Sequence, residues 1–167
     1  MKAKIAFILG SDSDYPFIEN GVALLRQFAI PLEIEVSSAH RTPERTLELI
    51  REFEAAGISV IIAAAGGAAH LPGVVAAHTL IPVLGVPIAS PLSGLDSLLS
   101  MVQMPAGVPV ATFGIGAAGA TNAALFAVAL LALADPALAE KLRAYRGAQR
   151  EQVLEKSRKL KDKLARE

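Results

Sequence analysis

Between Glu54 and Asp135 a single side chain carries a formal charge, Asp96. A folded monomer covers much of its surface with polar groups, so a stretch this poor in charge has to be buried in a core, in a bilayer or against another protein. Length argues against the bilayer. The longest unbroken apolar run there, Ala123–Ala134, has twelve residues, against the roughly 20 that a spanning helix needs. Glycine and proline interrupt the rest of the stretch repeatedly. A core accounts for part of it: Val60–Ala65 is a continuous apolar run, the pattern of a strand buried on both faces. The remainder predicts burial against other copies of the same chain, because obligate interfaces resemble a core cut in half.

The elements around Val60–Ala65 alternate. Lys4–Leu9 is a short apolar run closed by Gly10 and reads as the first strand. Ser13 or Asp14 can cap a helix with Pro16 in its early turn, running to about Phe28. Leu32–Val36 is the second strand. Thr42 and Pro43 then read as cap and first residue of a helix that ends before Gly57. Beyond Gly66-Gly67 the pattern predicts a short helix around Gly73–His78, a strand at Val83–Val86, a helix at Leu95–Val102 and a strand at Val108–Phe113. A long apolar helix over about Ala120–Ala134 follows. This alternation is that of an α/β fold, a parallel sheet with helices on both faces in three layers. Such sheets bind ligands at the carboxyl ends of their strands, near the switch in strand order. Residues 1–167 read as a single domain, with an α/β core to about residue 134 and a charged helical tail over 135–167.

Charge limits the partners. Sixteen basic and sixteen acidic side chains cancel, which removes any global electrostatic case for nucleic acid or an anionic membrane. The tail is different: residues 140–167 hold 10 basic and 5 acidic side chains. Leu138, Leu142 and Tyr145 fall at helical spacing there, and the interleaved glutamates favour an amphipathic packing helix over an RNA-binding arm. The absence of cysteine excludes disulfides and thiolate metal sites and fits a reducing compartment. Met1–Leu9 is too short for a signal peptide, so a cytoplasmic location is expected.

Few residues could carry chemistry. Histidines number three, His40, His70 and His78. Lys2 and Lys4 are the only lysines before Lys141, so a Schiff base at the loop ends is not expected. His70 has no nearby acid, which argues against a catalytic metal. The run Ser37-Ser38-Ala39-His40-Arg41-Thr42-Pro43 sets two hydroxyls, an imidazole and a guanidinium just before a helix N-terminus, where exposed N–H groups favour anions. Arg41 is a planar donor suited to phosphate. His40 can serve as acid and base in turn, although a loop histidine beside a surface arginine would read the same way. Gly10-Ser11-Asp12-Ser13-Asp14 offers hydroxyls and carboxylates after the first strand, and one carboxylate could cap the helix or bind sugar hydroxyls. It lacks the Lys-Ser/Thr ending of a P-loop. A response-regulator acid pocket would need an aspartate where the third strand ends in Ala63-Ala64-Ala65. Gly114-Ile115-Gly116-Ala117-Ala118-Gly119 matches a dinucleotide fingerprint, yet no second strand carries the acid that this fingerprint requires. Asp96 reads as a local cap.

Taken together, four segments resemble the 5-(carboxyamino)imidazole ribonucleotide mutase family: Gly10–Asp14, Ser38–Pro43, Ala65–Gly73 and Asp96–Pro105. They occur in order, at the expected loop ends, within a resemblance running from about Lys4 to Tyr145. The resemblance implies a flavodoxin-like fold, a homo-octamer, no cofactor or metal, and migration of a carboxylate from a carbamate nitrogen to the neighbouring ring carbon of a phosphorylated imidazole ribonucleotide. It implies Ser11, Asp14 and Arg41 as ribose-phosphate contacts, helped by Ser13 and Ser38. His40 becomes the acid/base, with His70 a second active-site residue, and Gly66, Gly67 and Ala68 line the substrate. Two departures stand out. The Ile88–Gly94 segment is one residue shorter than the family pattern, with Ala89 in place of a longer side chain, and Ala64 replaces a usual glycine. A direct carboxylase acting on aminoimidazole ribonucleotide is the related alternative; a non-catalytic nucleotide-binding module is the alternative of another class.

Overall fold

The computed structural model describes residues 4–166. The chain divides into two compact units, Met1–Ala127 and Val128–Glu167. The first contains a five-stranded parallel sheet in the order β2-β1-β3-β4-β5. Its strands are β1 (Lys4–Leu9), β2 (Leu32–Val36), β3 (Ile58–Gly66), β4 (Val83–Ile88) and β5 (Ala111–Thr112). The connecting helices are α1 (Tyr15–Gln27), α2 (Pro43–Ala55), α3 (Leu71–Ala77) and α4 (Leu95–Val102). α5 (Ala117–Ala132) begins in this unit and ends in the next. The order is that of flavodoxin-like folds, whose ligand crevice lies where β1 and β3 diverge.

Burial explains the apolar runs. β1, β3 and β4 are covered on both faces, so their residues are buried almost without interruption. On one face Ala6, Ile8, Ile61, Ala63 and Ala65 meet Leu49, Ile50 and Phe53 of α2, Leu71 and Val75 of α3, and Met101 of α4. Strand alternation sends Ile5, Phe7, Leu9, Ile62 and Ala64 to the other face, where α1 and α5 cross closely. A Cβ on Gly21 of α1 would come within 2.8 Å of the Ala120 carbonyl oxygen of α5. β2 is an edge strand and keeps Glu33 and Glu35 exposed, which discourages pairing with another sheet.

Three elements differ from the sequence expectation. β5 is two residues long instead of spanning Val108–Phe113, because Pro109 cannot donate to a ladder and Gly107 turns the chain with φ +102°. Backbone bonds outside the strand extend the edge: Phe113 N–H donates to the Gly85 oxygen at 2.9 Å, and Gly116 N–H to the Pro87 oxygen at 2.8 Å. α3 starts two residues earlier than expected, since Pro72 suits its first turn. Gly73 sits inside it against Met104. α5 starts at Ala117, directly after Gly116 with φ +74°. The last glycine of the 114–119 run serves packing, as a Cβ on Gly119 would fall 1.5 Å from the Gly114 oxygen.

In the second unit α6 (Pro136–Leu164) is one continuous helix of 29 residues that passes through Gly147. The Asp135 carboxylate accepts the N–H groups of Ala137 and Leu138, each at 3.0 Å, and so caps it. Arg143–Glu140 and Arg158–Glu155 pairs lie one turn apart on its surface. Val153, Leu154, Leu160 and Leu164 are exposed. Among the described residues no helix is long and apolar enough to cross a membrane.

Candidate active site

The site is built from loops at the carboxyl ends of β1, β2, β3 and β4. After β1, Gly10 N–H donates to the Ala64 oxygen at 3.0 Å, which locks this loop to β3. Ser11 and Asp14 then form a reciprocal cap around a single 3-10 turn. Ser13 N–H donates to Ser11 Oγ at 3.3 Å, and Ser11 N–H to Asp14 Oδ2 at 3.0 Å. The cap therefore belongs to Ser11, with Asp14 answering, and the side chain of Asp14 makes no capping bond to α1 itself. Asp14 is buried, and burial raises its pKa against the opposing effect of the Ser11 N–H bond.

After β2, Ser37 is anchored twice. Its N–H donates to the Leu9 oxygen at 2.9 Å, and its hydroxyl lies 2.8 Å from that of buried Thr46. Thr42 stands at the cap of α2 as expected, with Pro43 first in the helix, but its hydroxyl does not bond the helix amides. It accepts Ser38 N–H at 3.0 Å and donates to the Ser38 oxygen at 3.1 Å. That closed loop presents His40 and Arg41. Arg41 N–H and Nε–H both point at Ser38 Oγ, at 3.2 and 3.4 Å, which ties the guanidinium stem to the loop.

After β3 the chain turns through Gly67 at φ +65°, a conformation that favours glycine. Close backbone bonds follow: Ala69 N–H reaches the Gly67 oxygen at 2.8 Å and His70 N–H the Ala68 oxygen at 2.7 Å. His70 is the residue preceding α3. Its Nδ1 lies 2.9 Å from His40 Nε2, the rings edge to face with centroids 5.0 Å apart. Two histidines thirty positions apart in sequence thus form one hydrogen-bonded pair. After β4, Ser90 donates its hydroxyl to Asp96, and that bond, with backbone N–H groups at the start of α4, lowers the Asp96 pKa despite partial desolvation.

These loops surround a cavity of about 530 Å³. Of the residues singled out from the sequence, Ser11, Asp14, Ser38, His40, Arg41, Gly66, Gly67, Ala68 and His70 lie on its wall. Ser13 does not; it is exposed and donates its hydroxyl to Ser11 Oγ at 2.9 Å. His78, outside the segments that carry the resemblance, is exposed on the isolated chain, with Nδ1 2.8 Å from the Val74 oxygen. Ala39, Ser90 and Pro91 join the wall without having been singled out, as does Ala89, noted above only as a departure from the family pattern. Their loop position after β2 or β4 was the one available signal. The wall is chemically mixed. Arg41, the histidines and the hydroxyls share it with a neutral stretch of small residues, Ala65 to Ala68. Among the described residues no cluster of three or more histidine, cysteine or acidic side chains could hold a metal ion.

The fold agrees with comparisons to known proteins. The family model for AIR carboxylase matches residues 4–152. The N5-carboxyaminoimidazole ribonucleotide mutase of Pyrococcus horikoshii is 51% identical over 96% of this chain and 90% of its own length. The protein of the same name from Escherichia coli is 50% identical over 92% and 91%. Among solved structures, the crystal structure of Treponema denticola PurE superposes with a TM-score of 0.84 at 26% identity, covering 92% of this chain and 95% of that one. With a matching family model over most of its length and relatives at half identity, the chain belongs to the AIR carboxylase family.

Proposed function

We propose that this protein is an N5-carboxyaminoimidazole ribonucleotide mutase, moving the carboxylate of a carbamate ribonucleotide to the adjacent ring carbon in purine biosynthesis. The observation that carries the reading is the His40–His70 pair at 2.9 Å on the wall of a cavity that also presents Arg41 and the neutral 65–68 loop. His40 donates a proton to the carbamate nitrogen. The N–C bond breaks, its electron pair stays on nitrogen, and carbon dioxide is released inside the cavity. The electron-rich ring carbon attacks that carbon dioxide, and His40 takes the ring proton, which restores the starting protonation state. One imidazole therefore serves in both directions, and confinement keeps the released gas beside its acceptor. Arg41 engages the phosphate, with Ser11, Asp14 and Ser38 holding the ribose-phosphate, Ser13 acting only through its bond to Ser11, and Gly66, Gly67 and Ala68 closing over the base.

Composition supports self-assembly, and the family resemblance supplies the count, a homo-octamer. The stretch with one charge leaves Leu80, Leu92, Leu95, Leu99, Val102, Ile115 and Phe126 exposed on the isolated chain, and closed symmetric assembly would cover them. We place the contacts largely in the 66–130 region and the protein in the cytoplasm, with residues 1–167 acting as one domain and no nucleic acid or membrane as partner.

The related reading is a direct carboxylase, favoured by the description of the matching family model as AIR carboxylase. One assay separates the two: conversion of the carbamate ribonucleotide at low bicarbonate, against aminoimidazole ribonucleotide plus bicarbonate. Turnover of the second pair alone would overturn the mutase reading.

A further inference from the structure

Ser97 is a polar side chain with no solvent exposure. It sits in the first turn of α4, outside the residues that line the cavity. Its hydroxyl is fully used by two loops at once: it donates to the Ile88 oxygen at 2.8 Å and accepts Gly67 N–H at 2.9 Å. The first partner ends β4 and the second opens the glycine loop after β3. The preceding residue, Asp96, accepts the hydroxyl of Ser90 from the loop after β4. Ser100 donates its hydroxyl to the Asp96 backbone oxygen at 2.8 Å, and Met101 is buried in the core. One short helix therefore holds both the 66–70 loop and the 88–91 loop, which contribute to the cavity wall.

We propose that Ser97 is a positioning residue that fixes how closely the 66–70 loop covers the released carbon dioxide, with Asp96 doing the same for the 88–91 loop. The inference rests on the mutase reading. In that reaction carbon dioxide and aminoimidazole ribonucleotide share the cavity after the N–C bond breaks. Two fates compete, attack by the ring carbon and escape to solvent. Ser97 touches neither species. It acts through Gly67, whose N–H loses its acceptor when the hydroxyl is removed, and a loop held less firmly raises escape. Since the same loop carries His70, the His40–His70 bond loosens with it, so the product ratio and not the rate alone reports the cover over carbon dioxide. A residue that merely stabilises the fold would behave differently, since fewer active molecules lower both products in proportion.

The test gives the carbamate ribonucleotide to wild type and to Ser97→Ala and measures rearranged carboxylate and released aminoimidazole ribonucleotide in the same reaction. Spontaneous loss is subtracted with a protein-free control. Misplacement of about 1 Å can cost up to ~10²-fold in rate, so rearrangement by Ser97→Ala should fall by ten- to a hundredfold on that order, while the ratio of released to rearranged product rises severalfold. Added bicarbonate should recover product formation more in the variant than in wild type. An unchanged ratio in a folded Ser97→Ala protein overturns the inference. Should Ser97→Ala fail to fold, Asp96→Ala on the half-exposed side of the same helix carries the same measurement: a raised ratio supports the inference and an unchanged one overturns it. Wild type that does not rearrange the carbamate ribonucleotide at all would instead defeat the mutase reading.

Discussion

At the scale of single residues, the site depends on side chains whose roles differ by environment. His40→Asn keeps the shape of the loop but cannot carry a proton through the reaction. It should lose at least the ~10²-fold typical of general acid–base catalysis, with circular dichroism and ligand binding retained; near-normal turnover would shift the chemistry to His70. Arg41→Leu should raise the Michaelis constant for the phosphorylated substrate more than for a dephosphorylated analogue, and equal losses would make the guanidinium structural. Asp14 gives a pH prediction. Its folded pKa lies above the ordinary 3.8 because burial penalises the charge, so its relative contribution to stability is greatest below 3.8 and is lost as pH rises through the folded value. Asp14→Asn should therefore match or exceed wild type in thermal stability at pH 7, with that advantage shrinking as pH falls toward 3.8. These residues were largely legible in the sequence, because a histidine, an arginine and a hydroxyl run before a helix form a local pattern. The His40–His70 bond was not, as it joins loops thirty positions apart, and neither was the burial of Ser97, which no neighbouring residue announces.

At the scale of elements, glycine separates two kinds of constraint. Gly119→Ala would drive a Cβ into the Gly114 backbone oxygen, a contact that no rotamer relieves, and should cost more than the ~1–3 kcal/mol usual for overpacking, seen as a fallen Tm. Gly147→Ala meets nothing within 4 Å in the middle of α6 and should gain about 0.5–1 kcal/mol by improved helix propensity. A loss there would mean that the helix is not continuous in solution. Buried strands announce themselves by unbroken apolar runs, which is why β1, β3 and β4 were placed correctly from sequence to within a few residues. The edge strand β2 was legible instead from its alternation of apolar residues with Glu33 and Glu35. β5 was overestimated because Val108–Phe113 has strand composition, while Pro109 and the preceding Gly107 restrict what can pair. The starts of α3 and α5 moved by two or three residues for the same class of reason: local turn chemistry at Pro72 and Gly116 outweighed the apolar period.

At the scale of the whole molecule, the stretch from Glu54 to Asp135 gives a prediction about assembly. Light scattering at micromolar concentration should report an octamer, and a fully active monomer would sink that proposal. Phe126→Asp probes the surface better than a change at Ala127. Phe126 is 44% exposed on the isolated chain, whereas Ala127 is wholly buried, so a carboxylate at 127 would break the subunit before it broke an interface. Dissociation or aggregation with loss of activity is the expected result for Phe126→Asp. The strand order has a consequence in time. β1, made first, lies inside the sheet with β2 and β3 on its two sides, and β4 and β5 follow outward from β3. During synthesis each new strand can dock onto an edge already present, and none has to be wedged between two neighbours. Every residue that lines the cavity, together with Ser97, is synthesised before β5. The pocket is thus framed by the earlier part of the chain, and the last, shortest strand closes a sheet whose functional end already exists.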